Sequence, residues 1–538
     1  MFRIKTKTIV MLVGVLGLFA LAGLNMLRSG LHFGEDQDAG SYQSLAPDMS
    51  SENPLKYIHE DFSVDEDFHT NLPIVILTMD TDIPEYKTFK NGKEVVAEGI
   101  APYITGSISI VDGGRNDNHL LDEPVYTSLI KLKKRGHTSF LYDKSQYLIN
   151  LVDQSGTDVS ADILKMGEGE SWILNGSMAD KSMIRNYLPY RIASEIDGNG
   201  MSPDSRFCEV LIEKDGTYEY SGVYLLLESI ERGPSRVDID KYKEKNIYSS
   251  YIVRRDRFTN FDPMLDTYGR LNGFSKEWIG LKYPSAARIT EPTKQYIEKD
   301  FSRIEEILYS DKESVFKIYD KYIDIDSFVD YFLINEYFGN YDAGEHSTYM
   351  YKNSGDLLKI GPVWDFDQAM NNYFLQEMNS KTLAFQTKPI FDRLSKDHRF
   401  ISALKDRYSE LQKGVLSEEH VFAAIDEATD YLQSAREREW YRWAADYEED
   451  SGKNIHNYYL QDYVKDGVTI SRFNDNYNQE IYTIKNYLHQ HSLIIQEQLT
   501  KLNLSAKYDT SLRSENGLFL FMVLILFFVP SFLINKRG

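Results

Sequence analysis

Cysteine is nearly absent from this chain, which has one, Cys208, in 538 residues. A single cysteine cannot form an internal disulfide, so the fold does not depend on an oxidising environment. The residue lies between Phe207 and Val210, and we interpret it as a small buried hydrophobic residue.

Basic residues are also fewer than acidic residues. The 60 Lys and Arg residues are outnumbered by 82 Asp and Glu residues, which gives a formal net charge of -22. Because nucleic acids are bound through Lys and Arg contacts to phosphates, this balance argues against DNA or RNA as a partner. Two glycine motifs that hold nucleotide phosphates are missing as well, the G-x-x-x-x-G-K-[ST] loop and a full G-x-G-x-x-G loop. A nucleotide would have to be held differently.

Long apolar runs lie at the two ends of the chain, in residues 8–27 and 517–534. Each is about long enough to span a bilayer, and basic residues precede the first run and follow the second. Since positive residues stay cytoplasmic, we predict a two-pass protein held in the cell membrane by both helices. Its cytoplasmic tips are 1–7 and 535–538, and its main domain lies outside the cell. The alternative for the first run is a cleaved signal segment, because residues 20–22 read Ala-Leu-Ala.

Between these runs the pattern changes from a polar stretch to strands and helices. Residues 28–70 are polar and acidic, and we interpret them as a flexible stalk. The hydrophobic content of 42% allows the remainder to build a real core. Apolar and alternating runs predict strands at 72–79, 103–111 and 146–152 and a hairpin of 209–212 with 222–228. Helical periodicity, with Asp180 as the first cap, predicts helices at 182–196, 292–308, 315–340, 390–411, 416–447 and 469–504.

One stretch, residues 340–372, concentrates acidic and aromatic residues around a predicted hairpin. It reads NYDAGEHSTYMYKNSGDLLKIGPVWDFDQAMNN. The alternating run around Tyr349 and Tyr351, the Ser-Gly-Asp turn and the apolar run 357–363 predict two short strands joined by a tight turn.

The acidic residues lie at the two ends of this hairpin. Asp342 precedes its first strand, and Asp365 and Asp367 follow its second. A hairpin of this kind brings those carboxylates near each other. Converging carboxylates on a rigid strand pair suit either divalent metal binding or proton abstraction. The alternative at this point is a surface turn followed by the capped start of a helix.

The order of these acids resembles the catalytic segment of protein kinases. In those enzymes a catalytic Asp precedes a hairpin, an Asn lies five residues further on, and a second Asp in Asp-Phe-Gly holds magnesium. Here Asp342 has the first place, Asp365 in Trp-Asp-Phe-Asp has the second, and Ser347 stands where the Asn is expected.

With its Asn-x-Asp element, hairpin and Trp-Asp-x-Asp element, this stretch resembles the spore-coat-protein-H (CotH) family of atypical protein kinases, in a membrane-anchored bacterial form. Other blocks between residues 72 and 407 resemble the family in its own order, which makes the resemblance specific. They are 134–147 (KRGHTSFLYDKSQY), 172–186 (WILNGSMADKSMIRN), 220–228 (YSGVYLLLE) and 283–296 (YPSAARITEPTKQY).

The resemblance implies an α+β chain with an atypical protein-kinase-like, two-lobed fold. Its N-lobe would be mixed β, its C-lobe mainly helical, and transmembrane helices would flank it at both ends. We expect the kinase domain to span 71–410 and a helical C-terminal extension to span 411–510.

By the same resemblance, the acidic residues would serve phosphoryl transfer from ATP. Asp342 would take the proton of the attacking hydroxyl or orient that hydroxyl. Asp365 would bind Mg²⁺ (or Mn²⁺) at the phosphates, and Asp367 would support this metal. Ser347 occupies the place of a further metal ligand, where a hydroxyl binds more weakly than an amide carbonyl.

The other candidates are Arg135, Lys144 and Glu228. The resemblance makes Arg135 and Lys144 phosphate contacts, whereas spacing alone favours a solvated strand-edge lysine for Lys144. Glu228 ends the 220–228 block at what the resemblance makes a hinge between lobes, and it is a candidate contact on the adenine side.

We therefore expect a surface-facing CotH-type kinase that phosphorylates hydroxyl groups of surface or envelope proteins, or of a polymer. The alternative is a non-catalytic pseudokinase that acts as a surface binding or scaffold protein in envelope or exopolysaccharide assembly. Ser347 is the sequence feature that separates the two.

Overall fold

The computed structural model describes a mixed α+β protein, as predicted. The described residues are 64–90, 93–114, 117–197, 202–373, 378–447, 463–465, 468–470, 474 and 476–508.

Strands form most of the first half of the described chain. They are β1 (His69–Thr70), β2 (Ile74–Met79), β3 (Lys87–Lys90), β4 (Lys93–Val96), β5 (Ile104–Val111), β6 (Asn118–His119), β7 (Tyr126–Lys134), β8 (Tyr147–Val152), β9 (Ala161–Asp162), β10 (Glu168–Gly169), β11 (Ser171–Asn175), β12 (Ser205–Lys214), β13 (Thr217–Glu228), β14 (Tyr251–Asp256), β15 (Met264–Leu265), β16 (Trp278–Tyr283), β17 (Thr348–Lys352), β18 (Lys359–Ile360), β19 (Tyr463–Lys465) and β20 (Val468–Ile470).

Helices form most of the second half. They are α1 (Tyr187–Asp197), α2 (Tyr268–Leu271), α3 (Glu291–Leu308), α4 (Glu313–Phe316), α5 (Ile325–Tyr337), α6 (Phe391–Leu394), α7 (His398–Leu411), α8 (Glu418–Arg442), α9 (Ala444–Tyr447) and α10 (Tyr477–Leu504), with 3-10 turns at Thr138–Leu141, Tyr319–Lys321 and Phe385–Thr387.

Seven strands close into a barrel in the order β11-β13-β12-β2-β5-β7-β8. Because side chains alternate along each strand, one set fills the interior, where Val75, Leu77, Ile130 and Trp172 are each 0% exposed. The predicted strands 72–79, 103–111 and 146–152 are β2, β5 and β8. Cys208 on β12 belongs to the same core and is 0% exposed, which confirms its interpretation.

A second sheet has the order β15-β16-β14-β17-β18, and its strand β18 contacts helix α5. The central helix α5 is buried over its whole circumference from Phe328 to Tyr337, as expected for a helix enclosed by other elements. It contacts α1, α7 and α10. Its C-terminal end delivers the chain to Asn340, the start of the stretch that the sequence analysis singled out.

Three predicted helix starts are wrong, in each case because a side chain accepts hydrogen bonds from backbone N–H groups at a different position. Helix α1 begins at Tyr187 instead of residue 182, since the Asp180 carboxylate accepts the backbone N–H groups of Ser182 (3.0 Å) and Arg185 (2.8 Å) and so forms a turn. In 315–340, the Asp324 carboxylate caps a new helix, α5. In 469–504, the Asn476 side chain caps α10.

In the part of the chain that the structure describes, no helix is long and apolar enough to cross a membrane. This finding contradicts the predicted two-pass localisation with the main domain outside the cell, and that prediction was wrong. The long helices α8 and α10 carry charged residues along their length, because one face of each contacts water. The apolar runs 8–27 and 517–534, on which the prediction rested, lie outside the described residues.

Candidate active site

The hairpin predicted between Asp342 and Asp365 is present. Strands β17 and β18 pair antiparallel, with Met350 opposite Ile360. The second strand is shorter than predicted, and residues 361–364 follow it without regular secondary structure. Asp342 thus precedes the first strand of this antiparallel pair, and Asp365 follows the second.

Asn340 connects these two ends. Its side-chain amide donates to the backbone carbonyls of Trp364 (3.3 Å) and Asp365 (3.2 Å). Its side-chain oxygen accepts from the N–H of Ala343 (3.4 Å). Since Asn340 is buried, these bonds hold the turn of Asp342 against the segment of Asp365, and the first residue of the Asn-x-Asp element has a structural task.

The backbone at Asp365 is held from α1 and the turn before it. The Asp365 N–H donates to the Tyr190 hydroxyl (3.1 Å), and the next N–H, of Phe366, donates to the Asn186 side-chain oxygen (2.6 Å). The backbone φ at Asp365 is +65°, a left-handed conformation that Asp adopts more readily than most residues. One oxygen of its carboxylate accepts from the Ser347 hydroxyl (2.8 Å). These contacts fix the direction of the carboxylate.

Three carboxylates, Asp342, Asp365 and Asp367, form what we call the acidic group. Burial, followed by the charge of Asp365, raises the pKa of Asp342 to about 6. Burial also raises the pKa of Asp365, against the Ser347 hydrogen bond and the charge of Arg135. The pKa of Asp367 rises through burial and then through the charge of Asp365. The charge of Asp365 thus acts on both Asp342 and Asp367, and a nearby cation would favour the charged form of each carboxylate.

Basic side chains lie on the rim of the acidic group. The Arg135 guanidinium lies 5.9 Å from the centre of the Trp364 ring, and its charge acts on the acidic group as described. The charges of Arg257 and Lys388 oppose the rise in the pKa of Asp342. The structure therefore places Arg135 beside the predicted acids, while its contact with phosphates stays a prediction.

Sequence reasoning missed Asp256 and Arg257. Asp256 is the last residue of β14, whose pairing with β17 sets Arg255 opposite Thr348. Asp256 therefore lies beside Ser347, and its charge raises the pKa of the neighbouring Asp365 carboxyl. The available signal was a charged pair at the end of an apolar strand, but nothing local indicates that this strand pairs with β17.

Lys144 differs from the strand-edge interpretation, because it is 1% exposed. Its ammonium group lies 2.5 Å from a carboxylate oxygen of Glu439 on α8 and donates to the carbonyl of Val223 (2.8 Å). Glu439 also accepts from the Val223 N–H (2.8 Å) and from the Tyr447 hydroxyl (3.0 Å). Glu439 is thus a second residue that sequence reasoning missed, and it holds Lys144 inside the protein.

A cavity of about 20 Å³ lies beside Lys144, which is room for about one water molecule. Its lining includes Ser177 and Asn186. The Ser177 hydroxyl donates to the Asp367 carboxylate (3.0 Å), and Asn186 holds the backbone next to Asp365 as described. Lys144 therefore lines the same cavity as two residues that bond the segment of the acidic group.

Glu228 lies elsewhere, at the end of β13. Its carboxylate accepts from the Asp204 N–H (2.9 Å) and lies 3.6 Å from the Arg236 guanidinium. Burial raises the pKa of Glu228 to about 7. Its contacts with the described residues do not include the acidic group, and its place on the adenine side stays a prediction.

The described chain is thus α+β, with an Asp that follows a helix and an Asp that follows a hairpin in two segments joined by the Asn340 side chain. A comparison with family models finds that the model described as CotH kinase protein matches residues 132–492. The chain belongs to the CotH kinase family, which confirms the resemblance. A comparison with curated proteins finds no match.

Proposed function

We propose that this chain is a phosphotransferase that moves a phosphoryl group from ATP to a hydroxyl group. The observation that carries the proposal is the Asn340 junction, which keeps Asp342 and Asp365 in one acidic group. Phosphoryl transfer depends mainly on positioning and on neutralised charge, and carboxylates faced by arginines suit both tasks. The acceptors that we propose are hydroxyl groups of surface or envelope proteins, or of a polymer.

Asp342 is the proposed base. Its pKa of about 6, raised by burial and by Asp365, is close to ordinary working pH, where a general base is most effective. It would accept the proton of the attacking hydroxyl or orient that hydroxyl.

The proposal includes Mg²⁺ or Mn²⁺ with the ATP, and the donors present fit such an ion. Magnesium prefers oxygen ligands and is commonly bound by one or two carboxylates, with phosphates and water completing its shell. Asp365 and Asp367 are two such carboxylates, and the Ser347 hydroxyl lies beside them. The described residues contain no group of three or more His, Cys, Asp or Glu arranged to hold a metal ion, and a site completed by phosphates needs none. When bound, the ion would neutralise charge on the phosphates.

A two-lobed arrangement fits this chemistry. We propose that the barrel is the mixed β N-lobe, and that the second sheet with helices α3 to α10 is the C-lobe. Arg135, at the end of β7, would bring a phosphate contact from the barrel to the acidic group. In protein kinases a strand lysine and a glutamate must be paired for transfer, and the buried pair of Lys144 and Glu439 supports the same role here.

The test uses the full chain with labelled ATP, Mg²⁺ or Mn²⁺, and a library of Ser- and Thr-containing peptides. Asp342→Asn should lower label transfer by about 100-fold or more, since general-base catalysis contributes that much, and should leave ATP binding intact. Asp365→Asn should weaken metal-dependent ATP binding. Asp356→Asn is the matched control, because Asp356 lies exposed in the turn of the same hairpin. Transfer that survives both active-site substitutions would overturn the proposal.

The second candidate function is a non-catalytic scaffold in envelope or exopolysaccharide assembly. Two observations favour it: Ser347 stands in the place of the metal-binding Asn, and the cavity beside Lys144 holds only about 20 Å³. A thermal-shift titration with ATP and Mg²⁺ separates the two functions. A folded wild-type protein whose melting temperature does not respond to any nucleotide supports the scaffold.

A further inference from the structure

Strands β3 and β4 lie outside the family match, which begins at residue 132, and form a two-stranded sheet of their own. Their inner residues are nevertheless well buried, since Tyr86, just before β3, is 2% exposed and Lys87 is 5% exposed. Lysine is almost never fully buried unless it is paired. The contacts of Lys87 therefore indicate what this strand pair does.

Two donors from this strand pair hold the backbone on both sides of Arg135, in what we call the first arginine loop (134–136). The Tyr86 hydroxyl donates to the carbonyl of Lys134 (2.7 Å). The Lys87 ammonium donates to the carbonyl of Gly136 (2.7 Å). With the carbonyls before and after it both bonded, the Arg135 backbone has little freedom to rotate.

Glu94 on β4 connects the same ammonium to a second arginine loop (257–260), which carries Arg257. One carboxylate oxygen of Glu94 lies 3.0 Å from the Lys87 ammonium. The other accepts from the Thr259 hydroxyl (3.2 Å) and the Asn260 N–H (3.4 Å). A single carboxylate thus joins the two loops whose arginines lie on the rim of the acidic group.

The surroundings make this connection rigid. The Lys87 and Glu94 side chains are 6% and 3% exposed. The Lys87 ammonium lies 4.9 Å from the ring centre of Phe140 and 5.5 Å from that of Phe89. In such a weakly solvated place the hydrogen bonds are strong, and water does not easily replace them.

Contact geometry brings both arginines to the acidic group. The Arg135 guanidinium lies 5.9 Å from the ring centre of Trp364, the residue before Asp365. The Arg257 guanidinium lies 4.0 Å from the Asp256 carboxylate, which lies 3.9 Å from His346, the residue before Ser347. We propose that Lys87 and Glu94 are a positioning pair, which holds the two arginine loops in register so that both guanidinium groups meet the nucleotide phosphates. This inference rests on the proposed function and assigns residues outside the family match to it. In this proposal the two residues bind the loops, not the nucleotide, and each acts through an arginine.

The experiment compares Lys87→Met with Lys90→Met in the full chain. Lys90 is the matched control, because it lies on the same strand and is exposed. Lys87→Met should raise the KM for ATP about tenfold, since small displacements of a binding group cost that much or more, while Lys90→Met should change nothing. Lys87→Arg keeps the charge and should keep most of the wild-type affinity for ATP. If Lys87 had only a structural role, variants with equal melting temperatures would not differ in their KM for ATP.

Glu94→Gln is the second variant, which keeps the proposal testable if Lys87→Met does not fold. Hydrogen exchange should rise in both arginine loops of each variant, without any nucleotide present. If the loops loosen but the KM for ATP stays within about twofold of the control, the positioning role is refuted. The wild type could instead neither bind nor use ATP, although hydrogen exchange still rises in both loops of the variants. In that case the proposed phosphotransferase function is refuted, and so is the role of Lys87 and Glu94 in ATP binding.

Discussion

The buried pair of Lys144 and Glu439 should make the protein sensitive to the loss of either charge. The two side chains are 1% and 0% exposed, with their charged atoms 2.5 Å apart. Burial lowers the pKa of Lys144, and the charge of Glu439 opposes that shift. Each charge is therefore stable inside the protein only because the other is present.

Lys144→Met keeps the length of the side chain and removes its charge. Glu439 would then stay buried with two neutral donors, the Val223 N–H and the Tyr447 hydroxyl. Breaking a buried pair in this way costs about 3–5 kcal/mol of unfolding free energy. The double variant Lys144→Met with Glu439→Gln removes both charges and keeps an acceptor for the two donors. It should lose less than the sum of the single variants, by about 0.5–3 kcal/mol.

Urea unfolding of the full chain, followed by circular dichroism, measures these differences as shifts of the midpoint at constant slope. Lys214→Met is the control, because the Lys214–Asp82 pair lies on the surface, with side chains 73% and 96% exposed. Pairs of that kind contribute little, so the control midpoint should not move. The reasoning fails if Lys144→Met has the same midpoint as the control.

Three further predictions concern single positions. Gly222→Ala should destabilise the protein by about 1–3 kcal/mol from backbone strain alone, because its φ is +121° and a Cβ would overlap the Glu439 carboxylate. Urea midpoints should show a smaller loss for Gly216→Ala, whose Cβ would meet nothing within 4 Å. His491 donates from both ring nitrogens, to the Ser380 carbonyl and to Glu336. Burial alone would lower the pKa of His491, but Glu336 outweighs burial, so the net effect is a raised pKa. The stability that this protonated histidine contributes is therefore complete below the unfolded-state pKa of about 6.5 and is lost as the pH rises through the folded-state pKa. The urea midpoint should fall as the pH is raised through that range, and it should fall less in His491→Gln. Ser347→Asn should increase Mg²⁺-dependent label transfer, because an amide carbonyl is a better metal ligand than a hydroxyl. Asn also tolerates the φ of +49° at this position. A titration with Mg²⁺ that is the same for variant and wild type would contradict this prediction.

Local chemistry explains the elements that could be predicted. The hairpin of β17 and β18 follows from alternating residues and a Ser-Gly-Asp turn, and helix α3 follows from its apolar period. The wrong helix starts lie where a single Asp or Asn side chain competes with the helix for backbone N–H groups. Such a choice depends on the whole neighbourhood, since Asp180 also pairs with Arg185, which in turn pairs with Glu480 on α10.

The sequence by itself determined the α+β class, five of the seven strands of the barrel, the hairpin with an acid at each end, and membership of the CotH family. Only the tertiary structure decided which charges lie inside and what neutralises them: Lys144 pairs with Glu439, and Lys87 pairs with Glu94. The reason is physical. Periodicity and turn residues act over a few neighbouring positions, whereas a buried charge is tolerated only when a distant segment brings the opposite charge to it.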